Sequence, residues 1–296
     1  MSESYMEHAL ALARRARGTT SPNPPVGAVL VSTGQIVGEG WTQAAGGPHA
    51  EIEALAMAGA EAAGATLYTT LEPCSHWGRT PPCADALIAA GIEIAHIALI
   101  DPNPLVNGSG IQKLRNAGIQ VQLGEGRVAA RDVAEAHFVF IAQRRPFVVV
   151  ALDAPREVQR ALERESDVVL HAGNLDAAPP SVEGGPYVIR TRSDGARSLL
   201  TPLVVPREDD PVPASNPFPS ELAFNRYDEL FLSLAGRGLA SVLVVACAEE
   251  GARIVSEATV DRMVARAGIL PPPGFCQTSA IEGPERYVIF HPTVPE

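Results

Sequence analysis

Cysteine is scarce in this chain of 296 residues. The four cysteines are Cys74, Cys83, Cys247 and Cys276, and they are too few and too scattered for a disulfide framework. Two of them lie close together in the segment LEPCSHWGRTPPC, residues 71–83. Taken alone, this pair leaves three possibilities: a disulfide, half of a structural zinc site, or part of a catalytic metal site. In a chain without a secretory signal, a close pair favours metal binding or thiol chemistry.

Positive charge is in deficit, and long apolar runs are absent. The chain has 23 Lys and Arg against 34 Asp and Glu, which gives a net charge of −11. Tight non-specific binding to nucleic acid needs a cationic face, so we expect a small-molecule substrate and no nucleic-acid partner. No apolar run approaches the roughly 18 residues of a membrane span, so we expect no membrane partner.

The start, MSESYMEHALALARRARG, has acids before a short apolar stretch and arginines after it. This is the reverse of a secretory signal, and we expect a cytoplasmic location.

The length exceeds the usual size of a single domain and predicts two, with bounds at 1–145 and 146–296. In the first, a hairpin joined by STG precedes alternating helices and strands. This order predicts an α/β sandwich with a largely parallel later sheet. A single helix is predicted over the last segment of this domain, 127–143.

The second domain also has an α/β pattern, but residues 176–219 interrupt it with a stretch rich in proline, glycine and aspartate. Apolar runs predict strands at 147–153, 241–247 and 285–292. Helical patterns extend over 156–166, 220–235 and 252–267.

The residues that indicate chemistry are PHAE at 48–51 and the cysteine pair. His49 and Glu51 lie at the start of a predicted helix, Cys83 begins the next helix, and Cys74 ends the loop after the intervening strand. Two helix N-termini therefore meet in one place, where backbone N–H groups favour thiolates and anions. One imidazole and two thiolates are three good zinc ligands. A structural site uses four protein ligands, whereas three leave one position for water.

Zinc in such a site lowers the pKa of its bound water to about 7. Glu51, next to the ligand His49, can take a proton from that water and return it to a leaving amine. The pattern H-x-E…P-C-x-x-C is typical of zinc-dependent nucleobase deaminases. His49-Ala50-Glu51 and Pro73-Cys74 match it, but eight residues separate the two cysteines instead of two. A purely structural zinc site, or buried thiols that meet by coincidence, is the less favoured alternative.

Four segments resemble the deaminase of the riboflavin-biosynthesis bifunctional deaminase–reductase family: SPNPPVGAVLV (21–31), AGGPHAE (45–51), TLEPCSHWGRTPPC (70–83) and DPNP (101–104). The resemblance covers residues 1–145 and implies a cytidine-deaminase-like three-layer α/β fold. The activity that it implies is zinc-dependent hydrolytic deamination of 2,5-diamino-6-ribosylamino-4(3H)-pyrimidinone 5′-phosphate, a cyclic amidine, with release of ammonia.

The resemblance also implies which residues form the site. It implies one zinc ion per chain, held by His49, Cys74 and Cys83, with Glu51 as the proton shuttle. The substrate contacts that it implies are Asn23, His76, Arg79, Asp101 and Asn103.

These residue types suit a pyrimidine ribosyl phosphate. The amide of Asn23 can pair with a pyrimidinone edge, and His76 and Arg79 can meet a phosphate, Arg79 with a two-pronged donor face. Asp101 and Asn103 follow a predicted strand, where open α/β sheets bind ligands. Thr42 stands where relatives usually carry a histidine near the ribose phosphate. This departure bears on the identity or affinity of the phosphorylated substrate and leaves the zinc chemistry unchanged.

Each proposed contact also has a structural alternative. His76 could pack on Trp77, Arg79 could be a surface cation, and Asp101 could cap a loop. Asn23 and Asn103 lie beside prolines, as turn residues commonly do. We interpret Glu53 and Glu72 as structural. A structural role is also favoured for the histidines that have no metal-ligand partner at useful spacing, namely His8, His96, His137, His171 and His291.

For 146–296 the resemblance implies a dihydrofolate-reductase-like α/β domain that is shortened here. In the family, this domain reduces the ribose of the deaminated product with NADPH. Two departures follow from the residues: Asp153 leads directly into APREVQ, and the family's Glu-Gly-Gly after the later strand reads Ala246-Cys247-Ala248. Without those glycines the backbone cannot approach a pyrophosphate closely. We expect a degenerate domain that does not use NADPH and that serves as packing support or as the interface of a homodimer.

Three other functions stay open. The chain could be a deaminase of a related pyrimidine or nucleoside in a specialised pathway, or a bifunctional enzyme that retains NADPH-dependent reduction. It could also be a non-catalytic scaffold stabilised by zinc.

Overall fold

A computed structural model describes residues 4–77, 81–172, 187–193, 198–203, 222–224, 226–281 and 287–293. The chain divides into a first unit, Met1–Gln143, and a second unit, Arg144–Glu296. The predicted boundary lies two residues further along the chain. Among the described helices, none has the length and apolar character needed to cross a membrane.

The first unit is built on a five-stranded sheet with strand order β2-β1-β3-β4-β5. Its elements are α1 (Tyr5–Ala16), β1 (Gly27–Ser32), β2 (Gln35–Trp41), α2 (Ala50–Ala58), a 3-10 turn (Gly59–Ala62), β3 (Thr66–Thr69), α3 (Cys83–Ala89), β4 (Ile94–Ile97), α4 (Ser109–Asn116), β5 (Gln120–Leu123), α5 (Arg127–Val133) and α6 (Glu135–Gln143). Strand β1 is antiparallel to β2 and β3, whereas β3, β4 and β5 are parallel. The predicted α/β fold with a parallel later sheet is confirmed.

Local sequence explains where several of these elements begin and end. The Ser4 side chain accepts a hydrogen bond from the Glu7 N–H, and the Glu7 carboxylate accepts one from the Ser4 N–H, so a capping box starts α1. Thr33 and Gly34 both have positive φ in the turn between β1 and β2, as hairpin turns that match the strand twist require. The single helix predicted over 127–143 is in fact two helices, since α5 ends at Val133 with Ala134 as its C-cap and α6 begins at Glu135.

Close packing on glycine places helices on both faces of the sheet. A Cβ on Gly27 would overlap the carbonyl oxygen of Ala9 in α1. Cβ atoms on Gly38 and Gly40 would overlap backbone carbonyl oxygens of α2. Gly40 is paired with Ala28, the neighbour of Gly27 in β1, and successive residues of a strand face opposite sides. Helices α1 and α2 therefore cover opposite faces, as a three-layer arrangement requires.

The second unit has a nine-stranded sheet with strand order β10-β9-β8-β7-β11-β6-β12-β14-β13. Its elements are β6 (Phe147–Leu152), α7 (Arg156–Arg164), β7 (Val168–Ala172), β8 (Tyr187–Ser193), β9 (Ser198–Leu203), β10 (Leu222–Phe224), α8 (Tyr227–Gly236), β11 (Ser241–Ala246), α9 (Ala248–Glu257), β12 (Arg262–Arg266), β13 (Phe275–Ile281) and β14 (Tyr287–Pro292). Strands β7, β11, β6 and β12 are parallel neighbours. Every residue of β6, β7 and β11 is buried, as expected for central strands of a parallel sheet.

Two predicted helices of this unit are partly wrong. The segment predicted as a helix over 220–235 contains β10 before α8 begins, and the helix predicted over 252–267 ends at Glu257. Residues 262–266 instead form β12, parallel to β6. Here Asp261 accepts hydrogen bonds from the Val148 N–H and the Arg145 guanidinium. These contacts hold the segment against the sheet, so tertiary pairing overrides its local helical pattern.

Candidate functional site

The site lies where the N-termini of α2 and α3 approach the loop after β3. His49 is the N-cap residue of α2, and Cys83 is the first residue of α3. Cys74 follows β3 in that loop. The His49 Nδ1 atom lies 3.7 Å from the Cys74 sulfur and 3.3 Å from the Cys83 sulfur. All three donor atoms lie within 4.8 Å of one another, so the three predicted ligands come together.

The geometry of these donors fits a zinc ion. In a tetrahedral site with ordinary Zn–S and Zn–N bond lengths, neighbouring donors are about 3.5–3.8 Å apart. The separations from His49 Nδ1 are close to this range. One imidazole and two thiols form the donor set typical of zinc, and they leave a fourth position for a ligand from solution.

Hydrogen bonds within the donor set shift the pKa values of the two cysteine thiols in opposite directions. The hydrogen bond from the Cys83 thiol is the main reason that the pKa of Cys74 falls to about 4, and His49 and the Cys83 backbone N–H add to the effect. The same hydrogen bond to Cys74, together with burial, raises the pKa of the Cys83 thiol. The pKa of His49 is also raised, chiefly by its hydrogen bond with Cys74. Cys74 is therefore the thiolate of the set.

Glu51 lies in the first turn of α2, two residues after His49, and only 3% of it is exposed. Burial raises the pKa of its carboxyl group, and the positive charge of His49 partly opposes this shift. A general acid–base group works best with a pKa near the working pH, and for a carboxylic acid this means a raised value.

A cavity of about 380 Å³ opens beside these residues, within the usual range for small-molecule sites. Its lining contains His49, Glu51 and Cys74 together with four of the five predicted substrate contacts, namely Asn23, His76, Asp101 and Asn103. The fifth, Arg79, lies outside the described residues. The Nδ1 atom of His76 is buried with no hydrogen-bond partner in the described part of the chain.

Glu72 fixes the loop that carries Asp101. Its buried carboxylate accepts hydrogen bonds from four backbone N–H groups: those of Gly110 and Ile111 on one oxygen, and those of Asp101 and Gly108 on the other. A carboxylate at the N-terminus of α4 also suits the helix dipole. The structural interpretation of Glu72 thus gains a specific role, the anchoring of this wall of the cavity.

Two hydrogen bonds between residues two positions apart also stabilise the loop that carries Asp101. The Asp101 Oδ1 atom accepts from the Asn103 N–H at 2.8 Å, and the Asn103 Oδ1 atom accepts from the Leu105 N–H at 3.1 Å. These side-chain-to-backbone bonds are typical of turns built by aspartate and asparagine. Both residues therefore act as turn residues and line the cavity.

Asn23 and Thr42 lie on the other side of the cavity. The Asn23 backbone exchanges two hydrogen bonds with Thr20, one from its N–H to the Thr20 carbonyl and one to its own carbonyl from the Thr20 hydroxyl. The Thr42 hydroxyl accepts from the Val26 N–H at 3.1 Å and is buried. Thr42 therefore supports the strand that follows the Asn23 loop.

Sequence reasoning missed the contribution of α6. His137, Phe140 and Ile141 of this helix line the cavity, and His137 had been interpreted as structural. Their spacing of three and four residues puts all three on one face of the helix. That spacing was visible in the sequence, but nothing local indicated that this face turns towards the site.

Residues 1–98 match the family model of the cytidine and deoxycytidylate deaminase zinc-binding region. The chain is 53% identical over 150 residues to the riboflavin biosynthesis protein RibD of Aquifex aeolicus, covering 51% of this chain and 42% of that protein. It is 35% identical over 272 residues to the chloroplastic riboflavin biosynthesis protein PYRD of Zea mays, covering 81% and 69%. It is 53% identical over 120 residues to the diaminohydroxyphosphoribosylamino-pyrimidine deaminase of Buchnera aphidicola, covering 40% and 82%.

Among solved structures, a diaminohydroxyphosphoribosylaminopyrimidine deaminase/5-amino-6-(5-phosphoribosylamino)uracil reductase from Thermotoga maritima matches with a TM-score of 0.80 and 26% identity. The match covers 98% of each chain. By sequence, in contrast, the chain spans less than half the length of the RibD proteins from Aquifex aeolicus and Escherichia coli.

Proposed function

The chain belongs to the riboflavin-biosynthesis deaminase–reductase family, and from this premise we propose that its first unit is a zinc-dependent pyrimidine deaminase. The proposed substrate is 2,5-diamino-6-ribosylamino-4(3H)-pyrimidinone 5′-phosphate. The single observation that carries this proposal is buried Glu51 beside the three clustered donors His49, Cys74 and Cys83, at a cavity lined by Glu51, His49 and Cys74. Three protein donors with an adjacent carboxyl group are the arrangement of a hydrolytic zinc site.

His49, Cys74 and Cys83 would hold one zinc ion per chain. Bound there, zinc supplies a Lewis acid that lowers the pKa of water to about 7. The N-terminus of α3 helps to stabilise the Cys74 thiolate, because the backbone N–H of Cys83 donates a hydrogen bond to its sulfur.

Glu51 would move the proton. Its carboxylate would accept one proton from the attacking water and place it on the adjacent ring nitrogen. It would then move the remaining hydroxyl proton to the amino group, so that ammonia leaves and the ring carbon becomes a carbonyl. Burial supports this role because it raises the pKa of Glu51, so the carboxyl group can hold the proton between the two transfers.

The remaining contacts would orient the substrate. Asn23 and Asn103 offer amide donors and acceptors to the pyrimidinone, and Asp101 accepts from its amino or hydroxyl groups. His76 would bind the sugar phosphate. Its buried Nδ1 atom has no hydrogen-bond partner among the described residues, so a substrate group can supply one. We assign Arg79 to the same phosphate on the basis of family resemblance.

The second unit is a reductase-like fold to which we assign no NADPH-dependent activity. Strand β11 is followed by Cys247 and then by Glu249 and Glu250 in the first turn of α9. Carboxylates at a helix N-terminus repel a phosphate there. The turn between β6 and α7 is only three residues long, so it is too short to carry the cofactor contacts that the family resemblance implies after this strand. We propose that this unit contributes packing or the interface of a homodimer.

A second candidate function is deamination of a related pyrimidine or nucleoside in a specialised pathway. The observation that favours it is Thr42, whose hydroxyl is engaged by the Val26 N–H in the cavity wall. The family resemblance implies a histidine near the ribose phosphate at this position, so Thr42 is a departure on the side of the cavity that we assign to the phosphate. The acidic charge of −11 argues against a nucleic-acid substrate, and the cytoplasmic location stays a prediction.

One assay separates these proposals. The zinc-loaded full chain is given the diaminopyrimidinone phosphate, with and without NADPH, and both ammonia release and NADPH absorbance are followed. We expect ammonia release at the same rate in both arms and no oxidation of NADPH. Ammonia from another pyrimidine alone would establish the second function, and product-dependent NADPH oxidation would overturn the assignment of the second unit.

A further inference from the structure

His137 is a buried histidine that the proposed mechanism does not use. It lies in α6, has 4% of its surface exposed, and lines the cavity. Neither of its ring nitrogens has a hydrogen-bond partner among the residues that the structure describes. More than about 90% of buried polar groups in proteins are paired, and an unpaired one costs on the order of 1–3 kcal/mol. An imidazole in this state calls for a function.

A carboxylate that lines the cavity, that of Asp101, lies close to His137. Its Nε2 atom lies 3.5 Å from the Oδ1 atom of Asp101, and both side chains are more than nine-tenths buried. This distance is slightly longer than a hydrogen bond, so a small movement of either side chain would form one. The backbone N–H of Asn103 already donates to the same oxygen.

The surroundings of His137 restrict its choice of partner. The Phe138 ring meets the imidazole edge-on, and the Arg131 guanidinium covers Phe138 at 3.8 Å from the ring centre. Phe140 and Ile141 continue the same cavity wall with apolar side chains. In this wall the carboxylate of Asp101 is the acceptor within reach of Nε2.

We propose that His137 is a positioning residue for substrate binding, which donates its Nε2–H to Asp101 and orients that carboxylate towards the substrate. The oxygen bound by Nε2–H and by the Asn103 N–H is then fixed, and the other oxygen accepts hydrogen bonds from the substrate. The proposal rests on the proposed function, since Asp101 is a substrate contact only if this cavity is the deaminase site.

His137 lies on a different part of the chain from the residues that carry the proposed chemistry. Helix α6 lies beyond residues 1–98, the segment that matches the zinc-binding family model. The zinc donors and Glu51 all belong to that segment, whereas His137 does not. Binding of the substrate is therefore tuned by a helix that is separate from the elements carrying the chemistry.

The test compares three variants of the zinc-loaded full chain. His137→Phe removes the donor, His137→Gln restores an N–H near the position of Nε2, and Phe138→Leu perturbs the same helix without removing a polar group. For the diaminopyrimidinone phosphate, we expect His137→Phe to raise KM about tenfold with kcat within twofold of wild type, as for loss of uniform binding. His137→Gln should return KM to within about threefold, and Phe138→Leu should lower Tm without changing KM.

A structural role alone would give a different result. If His137→Phe leaves KM unchanged, or if Phe138→Leu and His137→Gln raise KM as much as His137→Phe does, the proposal is wrong. Zinc content, measured for each variant, should remain near one per chain and shows whether a variant is folded.

A second measurement does not depend on turnover. In ¹⁵N-histidine NMR spectra of the zinc-loaded chain, the His137 signals are identified by their loss in His137→Gln. We expect a protonated Nε2 whose shift changes in Asp101→Asn. An Nε2 without a proton, or one that is insensitive to Asp101→Asn, overturns the proposal. If the wild type does not deaminate the substrate, the proposed function fails while this measurement still decides the pairing of His137 with Asp101.

Discussion

The backbone N–H of Cys83 donates a hydrogen bond to the sulfur of Cys74 across 3.2 Å. Because Cys83 is the first residue of α3, this bond ties the loop after β3 to the start of the helix. Eight residues separate the two cysteines in the sequence, yet both sulfur atoms lie beside the His49 imidazole. The donor set is thus held by a helix N-terminus as well as by its own side chains.

Zinc affinity should depend steeply on pH. Cys74, with a pKa of about 4, is ionised at pH 7, whereas the raised pKa values of Cys83 and His49 favour the protonated forms of these groups. Zinc needs all three donors without those protons, so binding must displace them and should weaken as the pH falls. Between pH 6 and 8, chelator competition should show about tenfold tighter binding per pH unit for each displaced proton.

The control for this titration is Cys247→Ser, because Cys247 is exposed and lies in the second unit. It should show the same pH dependence as wild type. An affinity that does not vary with pH would mean that Cys83 and His49 are already deprotonated in the folded chain.

Removal of the proton shuttle should separate chemistry from metal binding. We expect Glu51→Gln to lower kcat for ammonia release by about 10³-fold, in line with the usual size of general acid–base effects. Zinc content and KM should stay within a few-fold of wild type, because Glu51 is not among the three donors. Glu53→Gln, in the same helical turn, is the matched control and should keep wild-type kcat. Near-full activity of Glu51→Gln would exclude the proposed mechanism.

Glu72 should contribute strongly to stability. Its carboxylate accepts hydrogen bonds from four backbone N–H groups, and Glu72→Ala would leave these donors without an acceptor. We expect a loss of about 3–5 kcal/mol in the stability of this region and faster hydrogen exchange at Gly110 and Ile111. Glu93→Gln, an exposed change in the same unit, should alter stability by no more than about 0.5 kcal/mol. Unchanged exchange in Glu72→Ala would contradict the anchoring role.

Gly110 should matter because of its close approach to the loop of the cysteine ligand. A Cβ at this position would overlap the carbonyl oxygen of Pro73, the residue before Cys74. We therefore expect Gly110→Ala to weaken zinc binding at least tenfold by displacing Cys74, as measured by chelator competition. Gly118→Ala is the control. It places its Cβ in open space at a φ of +87°, so it adds about 1–2 kcal/mol of backbone strain without touching the site. Equal zinc affinity in the two variants would refute the steric argument.

Much of the site was predictable because its signals are local. His49 and Glu51 are two residues apart at a helix start, and Cys74 and Cys83 bracket one loop, so their residue types and spacing carry the chemistry. The capping box of Ser4 and Glu7 and the Thr33-Gly34 turn are also short-range features. In contrast, the predicted helix over 252–267 failed at β12, because the hydrogen bonds of Asp261 and the pairing with β6 involve residues more than a hundred positions away.

The α/β class, the family and the choice of candidate zinc donors and proton shuttle follow from residue types and short motifs in the sequence. The surroundings of these residues depend on tertiary contacts: Glu72 anchors the Asp101 loop, and α6 forms a wall of the cavity with His137 beside Asp101. The physical reason is that a hydrogen bond or a buried contact depends on distance in space. Asp101 and His137 are 36 positions apart in the chain, and no local pattern at either residue indicates that folding brings them to 3.5 Å.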